Sequence, residues 1–326
     1  MFWSGENILG YLFNQFTISM TKDHFIAYAS VILAMLFWSL TFVWYKMVFE
    51  VYQPITTVFL RLVLSSIILV MLMLPLKKLQ KIKFTDLKYF ILVTFFQPFL
   101  YFLCESFGVK FVSSTLSAVI ISTIPLFSPF VTAYFYKERI MKFNIMGIGL
   151  SILGVGMVIF ERNENVAATP TGVILLFLAV AAGIGYSIVV KNLSGRYNSV
   201  SIVTYHNILG IFFYLPLFMV FDYKHFLAAG INTKALIPLI ELALFGSSFA
   251  FIFFTQSIRK LGVTKSNAFT NAIPVLTAIF AFFMLGEALT WIKTGGIGLV
   301  ISGLFMSQLK RFPYIKKGRI YIRPNE

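Results

Sequence analysis

Cysteine is nearly absent from this chain: Cys104 stands alone among 326 residues, so no internal disulfide can form and no cysteine-based metal site is suggested. Acidic residues are scarce too, 12 against 27 lysines and arginines, and there are 3 histidines. That scarcity leaves no histidine-rich metal spacing; an intramembrane hydrolase would want a serine or cysteine beside a base, a carboxylate dyad or a metal cluster, and Glu105 and Glu241 form such a dyad only if the fold brings them together. Charged residues make up only 12% of a chain that is 59% hydrophobic, with mean hydropathy +0.86. One water-soluble core of this size cannot hide that much apolar surface, so the chain belongs in a bilayer. Alternating strands of the kind a membrane barrel requires are missing as well. An all-helical bundle is the remaining way to satisfy backbone groups in lipid.

What is there is a set of long apolar runs. Stretches that can cross about 30 Å of hydrocarbon predict ten helices, near 25–45, 54–76, 89–109, 113–136, 144–160, 171–191, 200–221, 235–257, 263–285 and 290–309. The second half repeats the first without gaps at an offset of 149 residues. Pro125 meets Pro274, Glu138 meets Glu287, and Gly147, Gly149 and Gly154 meet Gly296, Gly298 and Gly303. Between residues 115 and 154 the shift gives eleven identities in forty positions. The organisation read from this is an N-terminal extension (1–24), a first five-helix repeat (25–160), a linker (161–170), a second repeat (171–309) and a basic tail (310–326). Residues 1–19, ahead of Met20, are either an interfacial amphipathic segment or an upstream mis-start. They lack the basic start and small-residue cleavage pattern of a signal peptide.

An odd number of helices per repeat turns the second copy upside down relative to the first, the architecture of alternating-access carriers. Charge sets the orientation. With a cytoplasmic N-terminus, twenty basic residues fall on the cytoplasmic side and six on the other, with Arg61 inside a span. Both termini are therefore expected in the cytoplasm. The net charge of +15 is spread over loops rather than gathered on a face, which points to anionic lipid head groups and not to nucleic acid.

The repeat, the ten spans and four strings together resemble the drug/metabolite transporter superfamily with two EamA-type repeats. The strings are AMLFWSLTFV at 34–43, FLRLVLSS at 59–66, CESFGVKFVSSTLSAVIISTIPLFSPF at 104–130 and NAIPVLTAIFAFFMLGEALT at 271–290. The resemblance covers roughly residues 26–307. It implies a multi-pass carrier of the cytoplasmic membrane, often an exporter of amino acids or other small metabolites, with a cavity lined by helices 1, 3, 4, 6, 8 and 9. On those helices Trp38, Tyr101, Tyr186 and Phe249 become cavity candidates. Trp38 lies well inside its span, whereas tryptophan usually prefers the interface that Trp44 and Trp291 are expected to occupy.

Polar residues inside the spans sharpen the list. Pro125 and Pro274 each fall near mid-span, where a proline deprives the carbonyl four residues earlier, of Ile121 or Thr270, of its donor. Ser122 and Thr123 flank one break, Thr270 and Asn271 the other, and such groups can replace a solute's lost hydration. Gln97, Gln256 and Asn267 add amides. Each of these also has a plain role open to it, as a packing kink or an interhelical hydrogen bond. Arg61, Glu105 and Glu241 all lie about 7–12 Å below one boundary at 1.5 Å per residue and so can meet. Buried charge is costly, so Arg61 is expected to pair with one of the glutamates, either as a gate or as a permanent structural pair. His206 aligns with Arg61 in the second repeat and is a candidate for proton coupling, or simply a packing residue. Glycines with serines at four-residue spacing, Gly147/Ser151 and Gly298/Ser302, read as packing seams, and Glu138 and Glu287 as first-turn carboxylates of the helices that follow them.

The expectation is a secondary carrier for a small organic metabolite, an amino acid or a related amphipathic solute, working as an exporter and acting as a monomer or homodimer. Nothing calls for a cofactor. Carriers of nucleotide-sugars, nucleobases or drugs stand as alternatives, with a channel or intramembrane enzyme outside that class.

Overall fold

Lipid offers the backbone no hydrogen bonds, and the computed structural model meets that condition with helices in the apolar stretches among the described residues. It describes residues 22–127, 142–159, 169–307, 314–316 and 319–321. The first half gives α1 (Lys22–Phe49), α2 (Pro54–Met73), α3 (Phe84–Phe111), α4 (Ser114–Phe127) and α5 (Lys142–Ile159). The second half gives α6 (Pro170–Ser194), α7 (Ser199–Ala229), α8 (Thr233–Leu261), α9 (Lys265–Leu285) and α10 (Trp291–Ser307). Seven of these are long and apolar enough to cross a membrane, and α4, α5 and α10 are shorter apolar helices. Beyond them, Tyr314–Lys316 and Arg319–Tyr321 pair as a small antiparallel hairpin in the basic tail.

Local chemistry sets the helix ends. Ser113 caps α4 by accepting from the Leu116 amide at 3.1 Å, and Asn198 caps α7 by accepting from Ser201 at 2.7 Å. Pro54 and Pro170 occupy the first turns of α2 and α6, where no donor is lost. Gly262 and Gly286 close α8 and α9 with φ of 88° and 68°, a conformation that side-chain-bearing residues rarely adopt.

The glycine seam between α5 and α10 displays the repeat in three dimensions. A Cβ on Gly154 would lie 2.6 Å from the Gly296 carbonyl, and one on Gly303 would lie 2.5 Å from the Gly147 carbonyl. Replacing each residue of the first contact by its mate in the other repeat (154 by 303, 296 by 147) produces the second, and the order of contacts makes the two helices antiparallel. That is the signature of a pseudo-two-fold axis between inverted halves. The seam corrects one expectation. Gly298 meets nothing within 4 Å and Ser302 is exposed, so in the second repeat Gly296 and Gly303 carry the packing instead.

Trp291 is exposed, but Trp44 is buried against Phe245, with ring centroids 6.1 Å apart. At the face where α1 begins, Asp86 ties the start of α3 to the α6–α7 turn, accepting from Arg196 at 2.5 Å and from the Tyr197 phenol at 2.8 Å.

Candidate functional site between the repeats

Three helices are broken at the centre of the bundle, and the breaks converge. In α4 the helix ends at Ile121, turns at Ser122 and Thr123, and resumes at Ile124. In α9 the α-helix gives way to a tighter turn over Phe269–Ala272 and restarts at Ile273. Pro125 and Pro274 therefore sit in the first turn of a restarted half-helix, where proline loses no bond, rather than at a kink within a continuous helix. In α3 the break falls at Gln97, with φ −154° and ψ 124°, just before Pro98. The Tyr214 phenol donates to the Phe99 carbonyl there at 2.9 Å, which satisfies backbone the break exposes.

Between these breaks lies a cavity of about 40 Å³. That admits a water or two and is far below the roughly 300 Å³ or more of a small-molecule site. Its walls come from helical faces. Trp38, Thr41 and Phe42 of α1 stand at spacings of three and four, as do Gln97, Tyr101 and Glu105 of α3 across the break. Ile121 and Ile124 belong to α4, Gly183, Tyr186 and Ser187 to α6, Phe251 and Phe254 to α8, and Asn267, Thr270 and Ile273 to α9. Arg61 of α2 completes the lining.

The charged end of the cavity is a buried network. Arg61 is 1% exposed. Its Nε donates to Ser247 Oγ at 2.7 Å, one Nη donates to the Tyr45 phenol, and its plane lies 4.2 Å from the Phe102 ring centroid. Tyr45 in turn donates to Glu105 at 3.3 Å, and Tyr101 lines the cavity beside the same carboxylate. Among the described residues Arg61 has no carboxylate within 4 Å. The expected Arg61–Glu105 ion pair is thus replaced by a phenol bridge, because Tyr45 occupies the space between the charges. Glu241 is partly exposed and takes no part in this network. Gly246 makes room for it, since a Cβ there would lie 2.6 Å from Thr41 Cγ2 and 3.3 Å from Arg61 Nη2. Behind Arg61, Asn207 donates to Ser65 at 2.7 Å and to the Ser247 carbonyl at 3.0 Å, while Ser65 and Ser248 share a hydrogen bond of 2.6 Å.

The structure brings together Trp38, Tyr101, Tyr186, Asn267, Arg61 and Glu105, along with Gln97 and Thr270. It leaves Ser122, Pro125, Phe249, Gln256, Asn271 and Pro274 outside the lining in this conformation. Phe249 stacks on Phe253 instead, with centroids 6.2 Å apart. His206 forms a second layer behind the wall, with its ring 5.9 Å from Tyr186 and 5.5 Å from Phe251. Sequence reasoning missed Tyr45, although it lies seven residues after Trp38 on the same helical face. It also missed Asn207 and Ser247, which carry no periodic signal.

Glu287 supplies a contact between repeats that was also unforeseen. Its carboxylate accepts from the Ser114 amide at 2.8 Å, the Thr115 amide at 3.3 Å and the Thr115 hydroxyl at 2.8 Å. It is therefore a cap on α4 of the other repeat, and not a first-turn residue of α10, which begins at Trp291. Its repeat mate Glu138 lies outside the described residues.

The model of the EamA-like transporter family matches this chain twice, over residues 25–160 and 170–309. The chain belongs to that family. Among its relatives, an uncharacterized transporter from Archaeoglobus fulgidus is 26% identical over 282 residues, 86% of this chain and 97% of its own. The uncharacterized transporter YetK of Bacillus subtilis is 26% identical over 256 residues, 77% of each chain. A probable terminal-alkyne amino-acid exporter from Streptantibioticus cattleyicolor is 26% identical over 201 residues, 62% of this chain and 66% of its own. A solved crystal structure shares the fold with a TM-score of 0.65 at 13% identity, covering 86% of this chain and 96% of the other. This EamA-like protein is accordingly a multi-pass membrane transporter built as two repeats.

Proposed function

We propose that this EamA-like protein is an alternating-access carrier that exports neutral amino acids or closely related amphipathic solutes across the cytoplasmic membrane. The observation that carries the reading is the cavity between inverted repeats, which combines an aromatic wall of Trp38, Tyr101 and Tyr186 with the Asn267 amide and both charge signs, Arg61 and Glu105. An apolar side chain needs the first, and a zwitterionic head group needs the rest. The broken helices supply the second support. Half-helices meeting at a site let one bundle rock against the other while backbone groups face the solute. The cavity's small volume suits a closed state that must open toward either side to load. Similarity to a probable amino-acid exporter adds to the case for the solute class. The excess of basic residues on the face where α1 begins supports a cytoplasmic orientation of that face.

The test is counterflow in proteoliposomes loaded in turn with neutral amino acids, nucleosides, nucleotide-sugars and cationic drugs. Saturable tracer accumulation with neutral amino acids, lost in Asn267→Leu, is the expected result. Accumulation with another class would replace the solute assignment. Currents or fluxes that neither saturate nor exchange label would replace the carrier reading with a channel.

A further inference from the structure

Arg61 and Glu105 face the same cavity, carry opposite charge and do not neutralise each other directly. A guanidinium has five N–H donors, and hydrogen bonds here engage two of them, at Ser247 and Tyr45. A carboxylate has about four acceptor positions, and the Tyr45 phenol occupies one at Glu105. Both groups therefore keep hydrogen-bonding capacity in a place where unused capacity is costly. Tyr45 holds the poles apart while fixing each one. Ser247 and the Phe102 face fix the guanidinium further, and Gly246 admits Nη2 where a Cβ would lie 3.3 Å from it.

We propose that Arg61 and Glu105 are the two poles of the solute site, Arg61 receiving the carboxylate of an α-amino acid and Glu105 its ammonium. The assignment rests on the amino-acid reading of the cavity. A zwitterion satisfies both residual charges at once, whereas an amine or a carboxylic acid satisfies one and leaves the other buried and unmatched. Discrimination among analogues follows from the site itself. The aromatic wall accepts the side chain of all three compounds equally, so the difference lies in the head group.

The experiment takes the neutral amino acid with the largest counterflow and measures how its amide and its deaminated acid compete with it, in the wild type and in two variants. Wild-type protein is expected to bind each analogue at least about tenfold more weakly than the amino acid, the cost of one lost charge-assisted hydrogen bond. In Arg61→Gln the penalty on the amide should vanish while the penalty on the acid remains. In Glu105→Gln the pattern should reverse. The wild-type comparison alone already tests the assignment if a variant does not fold, because an amide that competes as well as the amino acid would rule out Arg61 as the carboxylate pole. Equal weakening of all three compounds in both folded variants would also overturn it, leaving Arg61 and Glu105 as structural groups in a working amino-acid carrier. If no amino acid gives counterflow, the amino-acid reading itself fails and the pole assignment fails with it.

Discussion

The glycine seam and the charged cavity both join the two repeats, and they differ in symmetry. At the seam the close approaches of two glycines mirror each other: Gly154 on Gly296 and Val300 is matched by Gly303 on Gly147 and Ser151. At the cavity the halves contribute unlike chemistry. With α2 and α7 aligned on RLVLS and HNILG, an offset of 145, Arg61 stands opposite His206, and the arginine reaches the lining while the histidine sits behind Tyr186 and Phe251. A symmetric contact suits a hinge that must serve two mirror-related states equally. An asymmetric one suits recognition, because a solute with different ends cannot be matched by two copies of one group.

Substitutions can break this contrast. The largest effect is expected for Arg61→Leu, which removes both charge-assisted bonds and leaves Glu105 without its bridged counter-charge. Counterflow should fall at least about a hundredfold in protein that still purifies as a discrete folded species. At the seam, Gly303→Ala places a methyl 2.4 Å from Ser151 Oγ and 2.5 Å from the Gly147 carbonyl. Overpacking of that kind should cost about 1–3 kcal/mol, read as a lower melting temperature, with solute selectivity unchanged. Selectivity shifts from a seam substitution would blur the distinction between scaffold and site.

Smaller changes sharpen it. Tyr45→Phe removes the bridge but keeps the ring, and should lower counterflow about tenfold. Glu287→Gln preserves the shape of the cap on Ser114 and Thr115 but not its charge, and should cost about 1 kcal/mol of stability by thermal melting. Gly298→Ala meets open space, so the expected outcome is a gain of about 0.5–1 kcal/mol from the helix alone. Gly298 and Gly303 are five residues apart in one helix, and opposite signs at the two would confirm which face packs.

Much of this was legible in the sequence because it is periodic. The repeat, the helix breaks beside Pro125 and Pro274, and the meeting of Arg61 and Glu105 at one cavity follow from spacing, and spacing survives without coordinates. Which glycines pack is also spacing, but Gly296 and Gly298 stand two residues apart and face different sides, so composition could not choose between them. The remaining features depend on encounters between distant residues. Tyr45 is one of 15 tyrosines beside 38 phenylalanines, and nothing local marks its hydroxyl as the bridge. Glu287 reaches an amide 173 residues away. Its matching position in the two repeats was visible, but the helix it caps was not.

Accessibility of the cavity from each side of the membrane tests the account most directly. In a Cys104→Ser background, Thr270→Cys puts a single thiol in the cavity wall. The thiol is then exposed to a membrane-impermeant reagent in right-side-out and in inverted vesicles. The account predicts labelling from both sides, slowed in each case by a transported amino acid. Labelling from one side only, or rates that solute does not alter from either side, would contradict a single site that opens alternately across the membrane.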